Sequence, residues 1–166
     1  DMQFHGSLQP THFGNLLNSF SYKAVSLSFN ICYRFGGFFR NPSLYQSGLI
    51  YGLGGHGDYA RRWQQPGDEL STHVPVANYT QNANRDFFYQ NAEVHVMKSD
   101  VIRLEDINVS YRFALARRKN SPSMTLIFNA AQLPMLWAAA PGGIDPYFVN
   151  SAITRPRFSL GANLSF

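Results

Sequence analysis

The run VSLSFNICYRF, from Val25 to Phe35, alternates without a break: Val25, Leu27, Phe29, Ile31, Tyr33 and Phe35 are apolar, and Ser26, Ser28, Asn30, Cys32 and Arg34 stand between them. Successive side chains point to opposite faces only in a strand, so this period of two dictates a long β-strand with one apolar and one polar face. The same pattern recurs. Leu16, Phe20 and Tyr22 share one parity against Ser19, Ser21 and Lys23, which predicts a hairpin turning tightly at Lys23-Ala24. In DVIRLEDINVSYRF, Asp100 to Phe113, Ile102 and Leu104 hold one parity while Ile107, Val109, Tyr111 and Phe113 hold the other, so a bulge or bend is expected near Glu105-Asp106. SMTLIFNAAQL places Met124, Leu126, Phe128 and Ala130 on one face. A closing strand is expected over about 154–166, with Phe158, Leu160, Ala162, Leu164 and Phe166 on its apolar parity and Ser159, Gly161, Asn163 and Ser165 on the other. No stretch carries a convincing helical period, so the expected class is all-β, with about five long antiparallel strands.

The connections alternate in length. They are short at Lys23-Ala24 and at Arg117 to Pro122, and long over about 41–96 and about 134–153. Short turns on one side and long loops on the other, between strands of on the order of ten residues, is the asymmetry of an outer-membrane barrel. A soluble sandwich also alternates, but its strands usually run about five or six residues. Charged residues are only 14% of the chain, against about 25% in ordinary globular domains. The polar parity is small and uncharged, which suits a lumen better than a sheet face bathed in water. No apolar run approaches the roughly 20 residues of a membrane-spanning helix. Five strands cannot close, because the smallest membrane barrels need about eight. The chain is therefore expected to be a piece of a larger barrel or one segment of a split one, or else a soluble β-rich binding module. The opening DMQFHGSLQP, without a signal pattern, reads as the start of a mature or cut product.

Several chemistries find no support. A single cysteine, Cys32, allows neither an internal disulfide nor a thiolate zinc cluster, and the five histidines fall at no metal-ligand spacing. Neither a Gly-x-Ser-x-Gly elbow nor a phosphate loop occurs, so no catalytic residue is assigned and no enzyme activity or cofactor is expected. The net charge of +4 is scattered apart from Arg61-Arg62 and Arg117-Arg118-Lys119, which gives no nucleic-acid stripe. The Asn-x-Ser/Thr pattern occurs at Asn78, Asn108 and Asn163; two of these lie in expected strands, and the matches read as chance. Within the long segment, Asp58, Tyr59, Arg61, Arg62 and Trp63 are the candidate contacts for a ligand or partner, with the rings stacking and the charges making assisted hydrogen bonds. The same residues could instead lock the segment's own fold, with Pro66-Gly67 as a turn and Asp68 capping the residues after it.

These motifs also stand in a familiar order. The core G-D-Y-A-R-R-W-Q-x-P-G-D-E of GGHGDYARRWQQPGDELSTHVP, Gly54 to Pro75, resembles a segment near the end of SusC/RagA-type TonB-dependent outer-membrane transporters. NSFSYKAVSLSFNICYRFG resembles that family's Ser-Tyr-Lys-Gly hairpin, with Ala24 for the glycine. DVIRLEDINVSYRF resembles its Y-x-R-L-K-N-I-T-L-S-Y strand, GGIDPYF its G-x-D-P-E loop, and RPRFSLGANLSF its closing strand. Departures fall at Val101, at Tyr147 in place of an acidic residue, and in AAQLPM. The resemblance covers nearly the whole of residues 1–166 and implies the C-terminal part of a single barrel of about 22 strands, with the plug and earlier strands absent. It further implies a Gram-negative outer-membrane location, extracellular placement of the 41–96 loop, and a lipid-facing stripe from Phe158 to a terminal Phe166 of the kind insertion machinery reads. The implied partners are a SusD-like surface lipoprotein, TonB through the missing N-terminal part, outer-membrane lipid and the remainder of the same barrel. The implied activity is import of oligosaccharides or peptides; the alternative is a non-transporting scaffold barrel in a larger envelope assembly.

Overall fold

The computed structural model describes residues 3–80, 82–114, 122–149 and 151–165. In chain order its elements are β1 (His12–Tyr22), β2 (Val25–Phe35), β3 (Phe38–Arg40), α1 (Gln46–Ile50), α2 (Ala83–Gln90), β4 (Val96–Lys98), β5 (Val101–Ala114), β6 (Ser123–Ala131), β7 (Met135–Ala138) and β8 (Arg157–Ser165), with short 3-10 turns between them. They fall into two compact units, one from residues 6–37 and 98–165, the other from residues 3–5 and 38–97.

The first unit is one antiparallel sheet in the order β1-β2-β5-β6-β8, with β7 also paired to β5. Each long strand lies beside the long strand before it, and β1 and β8 are open edges rather than partners of one another, so the sheet is not a closed barrel. β1 and β2 are in register from His12↔Phe35 to Tyr22↔Val25, leaving only Lys23 and Ala24 in the turn. Lys23 has φ 54°, a left-handed conformation that costs a side-chain-bearing residue about 1 kcal/mol or more. Lys23→Gly is therefore expected to raise the stability of the folded protein by about 0.5 kcal/mol, the relieved strain less the extra freedom that glycine gives the unfolded chain. The denaturant midpoint reads this gain, and a lower midpoint would count against strain at the turn.

The phase change in β5 is a bulge. Asn30 pairs with Asp106 and Ile31 with Leu104, so Glu105 is the extra residue. With that correction one face is apolar across β2, β5, β6 and β8, and β1 adds Leu16, Phe20 and Tyr22 to it together with His12, Gly14 and Asn18. The row Phe20, Leu27, Val109, Phe128, Leu160 is typical, and the next is Asn18, Phe29, Ile107, Ala130, Phe158. Tyrosine and tryptophan occur on this face only towards its two ends: Tyr22 and Tyr111 flank Val25 in one row, and Tyr33, Ile102 and Trp137 form the other. Val25 and Tyr33 are eight residues apart on β2, about 27 Å at 3.4 Å per residue. The opposite face is the more polar one, with Asn129 Nδ2 donating to Asn108 Oδ1 at 2.7 Å and Ser21 and Ser26 hydroxyls 3.0 Å apart, but it also carries Phe13, Leu17 and Ile127.

Little of this unit is buried. Val101, Arg103, Ala130 and Ala140 are, whereas Leu16, Phe20, Phe158 and Leu160 are exposed, Leu160 at 78%. The sheet is held by its ladder and cross-strand pairs, with no apolar core of its own. β1, whose start the parity left open, begins at His12; two boundaries differ from the sequence pattern, since β8 begins at Arg157 rather than near Thr154 and β7 lies inside the expected 134–153 loop. β7 continues the pairing of β5 after a break at Gln132, which has φ 56°. The expected turn at Arg117 to Pro122, with Arg117-Arg118-Lys119, and the terminal Phe166 lie outside the described residues, apart from Pro122.

The second unit is not the plain loop the sequence suggested. Its apolar centre is Leu44, Val74 and Tyr89, with Leu49 and Tyr59 against it. β3 and β4 pair as a two-stranded sheet. α2 corrects the expectation that no helix forms: Asn82 caps it by accepting the Arg85 N–H at 3.0 Å. The helix escapes a search for apolar period because Asp86 and Tyr89 are its buried residues, while Phe87 and Phe88 are exposed. Asp86 ties α2 to α1 by accepting the Ser47 N–H at 2.8 Å and the Ser47 hydroxyl at 2.5 Å.

Candidate functional site

The five candidates of the long segment lie on and just after the 3-10 turn Gly57–Arg61. Asp58 is 5% exposed, and its carboxylate accepts the Ser43 hydroxyl at 2.5 Å and an ion-paired hydrogen bond from Arg61. His56 Nδ1 accepts the Asp58 N–H at 3.2 Å and lies 3.2 Å from Oδ2. Burial alone would raise the Asp58 carboxyl, but Ser43, Arg61 and His56 together hold it below its ordinary 3.8. Arg62 donates to the Tyr59 carbonyl at 3.0 Å and lies 4.1 Å over the Tyr59 ring. Trp63 Nε1 donates to Glu69 at 3.0 Å. Asp68 accepts the N–H groups of Gln64 and Gln65 at 2.9 and 3.0 Å, and Gly67, φ 104°, makes the turn after Pro66. Most of the motif is thus engaged in shaping its own segment.

Of the five, Tyr59 lines a cleft. This depression of about 380 Å³ is lined by Gln46, Leu49, Ile50, Tyr59, Ala77, Asn78 and Tyr79. Gln46 fixes its floor, donating to the Val76 carbonyl at 2.8 Å and accepting the Asn78 N–H at 3.0 Å. The sequence pattern did not mark Gln46, and marked Asn78 only as an Asn-x-Thr match read as chance; the two come from segments far apart in the chain and meet through the Leu44–Val74–Tyr89 packing.

Asp58 is the post on which this arrangement hangs, because Ser43 also lies 3.0 Å from the Tyr89 hydroxyl. Asp58→Ala is expected to destabilise the 38–97 unit by about 2 kcal/mol, leaving Ser43 and Arg61 without their acceptor. Acid should act the same way, since a depressed folded value makes the contribution complete above 3.8 and lost as pH falls through that lower value. Amide-exchange protection of α1 and α2 in wild type and variant measures both effects; equal protection would remove Asp58 from this role.

A second cluster lies on the polar face of the sheet. Arg103 of β5 forms a buried ion pair with Asp145, in the loop after β7, and its guanidinium lies 4.9 Å over Tyr147 and 5.6 Å over Phe148. Arg34 lies 4.3 Å over the same Tyr147, whose hydroxyl is 3.8 Å from Cys32 Sγ. Burial, then Cys32, pushes the Tyr147 phenol up to about 12, so it stays neutral. Two sequence motifs read separately, DVIRLED and GGIDPYF, are joined here by one ion pair. The β8 residues Phe158, Leu160, Ala162 and Leu164 share the apolar face, remote from this cluster in register.

The architecture is that of an antiparallel meander whose second and third long strands are linked by a separately packed unit. Compared with models of known protein families and with curated proteins, the chain matches none.

Proposed function

We propose that this chain is a wall segment of a Gram-negative outer-membrane β-barrel, the C-terminal part of a SusC/RagA-like TonB-dependent transporter. The observation that carries the reading is the apolar face: unbroken on β2, β5, β6 and β8, joined by Leu16, Phe20 and Tyr22 of β1, exposed at Phe20, Phe128, Phe158 and Leu160, and carrying tyrosine and tryptophan only near its two ends. An apolar band about 25 Å tall between aromatic girdles is the lipid surface of such barrels, and 27 Å along a tilted strand is commensurate with it. The more polar face then lines the interior, and the open edges β1 and β8 pair with other strands of the barrel. On this reading the 38–97 unit lies outside the cell, where a SusD-like lipoprotein would cap the barrel, and the cargo is an oligosaccharide or peptide. The plug and the segment engaging TonB belong to parts of the protein beyond this chain.

The test is fractionation of cells producing the intact protein, with heat-modifiable migration as the sign of a folded barrel. Recovery in the outer membrane in heat-modifiable form is expected. A chain that stays folded and monomeric in buffer without detergent would instead be a soluble module, and a folded barrel without uptake of any oligosaccharide or peptide would be a scaffold.

A further inference from the structure

His95 ends the 3-10 turn Glu93–His95 and is 2% exposed. Its carbonyl accepts the Asn41 N–H at 2.8 Å. Its ring stands edge-on to Tyr89 at 4.7 Å and to His73 at 5.7 Å. The imidazole also bonds the Tyr89 backbone, and its Nε2 is buried with no hydrogen-bond partner among the described residues. A neutral ring can leave Nε2 as a bare lone pair at little expense. A protonated ring would seal a cationic N–H away from water with nothing to accept it.

The groups facing His95 do not reverse this. Tyr89 comes from α2, Arg40 from β3, His73 from the segment before Val74, and Asp58 from its 3-10 turn. Only Asp58 would attract an imidazolium, and it is already engaged by Ser43 and Arg61. Glu93, on the same turn as His95, reaches His5 at 3.6 Å instead. Burial first, then His73, keep His95 below its ordinary 6.5. Among the described residues no three His, Cys, Asp or Glu side chains converge on a metal site, so the cluster is not read as one.

We propose that His95 is an acid-released latch for the 38–97 unit: protonation of its buried ring loosens α2 and the Glu93–His95 turn from the Leu44, Val74 and Tyr89 core. Tyr89 carries the effect onward, because its hydroxyl lies 3.0 Å from Ser43, the donor to Asp58. The sign comes from linkage. The opened state binds the proton at 6.5 and the closed state only at lower pH, so closure is complete above 6.5 and weakens as pH falls below it. The latch concerns this unit alone and does not rest on the transporter reading.

Hydrogen–deuterium exchange of the intact protein, corrected for intrinsic rates and taken from about pH 7.5 to 5.5, reads the opening of α2 and Glu93–Lys98. Wild type should open increasingly below 6.5, by up to about tenfold per pH unit until the closed state also protonates. His95→Gln should abolish that dependence whatever its starting protection. His73→Gln, at an exposed site, should keep the fold and reduce the amplitude, because the repulsion from a second imidazolium is gone. Flat protection in wild type, an undiminished dependence in His95→Gln, or an unaltered profile in His73→Gln would each overturn the latch.

Discussion

Replacing Leu160 with lysine is expected to block assembly of the protein into the outer membrane, whereas lysine at the adjacent Ser159 should be tolerated. Leu160 shares a row with Phe128, Val109, Leu27 and Phe20, one row inside that of Tyr22 and Tyr111 and three rows from that of Tyr33 and Trp137. A lysine near the middle of a barrel's lipid face costs about 2–4 kcal/mol and near the interface about 0–1, and Leu160 falls between the two. Leu164 pairs with Met124 in the row of Phe113, at the short-turn end, so its lysine variant should be milder than that of Leu160. Ser159 and Asn163 stand on the other parity, opposite Asn129 and Thr125. The measurement is heat-modifiable, membrane-inserted protein in each variant at equal expression. Equal tolerance on the two parities would sink the proposal, since no membrane orientation of this sheet treats Leu160 and Ser159 alike.

The second large effect is expected at Arg103. Its side chain and that of Asp145 are 8% and 9% exposed, so Arg103→Ala leaves a carboxylate buried without its cation and removes the support beneath Tyr147 and Phe148. Breaking such a pair from one side costs about 3–5 kcal/mol. Arg103→Lys should recover only part of this, because an ammonium lacks the planar fork that reaches Asp145 and the Leu133 carbonyl together. The double variant Arg103→Met with Asp145→Leu should be far milder than either single change, since the uncompensated charge is gone. Denaturant unfolding of the refolded protein, with limited proteolysis between Pro141 and Phe148, reads both stability and loop release. A single-variant loss within about 0.5 kcal/mol would mean that the pair is no more than a surface contact.

Much of the sheet was legible because alternation is a local signal. The hairpin at Lys23-Ala24 and the irregularity at Glu105 follow from parity alone, and both are present. β7 was hidden because Met135–Ala138 is short and comes after a break at Gln132, so no run long enough to show a period remains. The 38–97 unit was illegible for a different reason. Among the described residues its core has three buried apolar side chains, drawn from three separated segments, and the buried polar side chains are Gln46, Ser47, Asp58, Asp86 and His95. Hydrophobic pattern cannot announce an interior built largely from paired polar groups. The candidate residues divide along the same line: Asp58, Arg61, Arg62 and Trp63 were conspicuous by type and are engaged in local structure, while Gln46 and Asn78 were inconspicuous and shape the cleft beside Tyr59.

Glu105 bears on how this strand can change in length. It is the one residue of β5 that the pairing with β2 steps over, with Leu104 opposite Ile31 and Asp106 opposite Asn30 on either side of it. Excising it would join Leu104 to Asp106 in a regular ladder, and every other side chain would keep its side, including Arg103 beside Cys32 and within reach of Asp145. The Gln132 N–H would lose its acceptor, the Glu105 carbonyl. Excising Ser110 instead would set Val109 directly before Tyr111, and two neighbours in a strand cannot both face the same way. Evolution can therefore shorten this strand by a single residue at Glu105 without turning the sheet inside out, a freedom that its regular stretches lack.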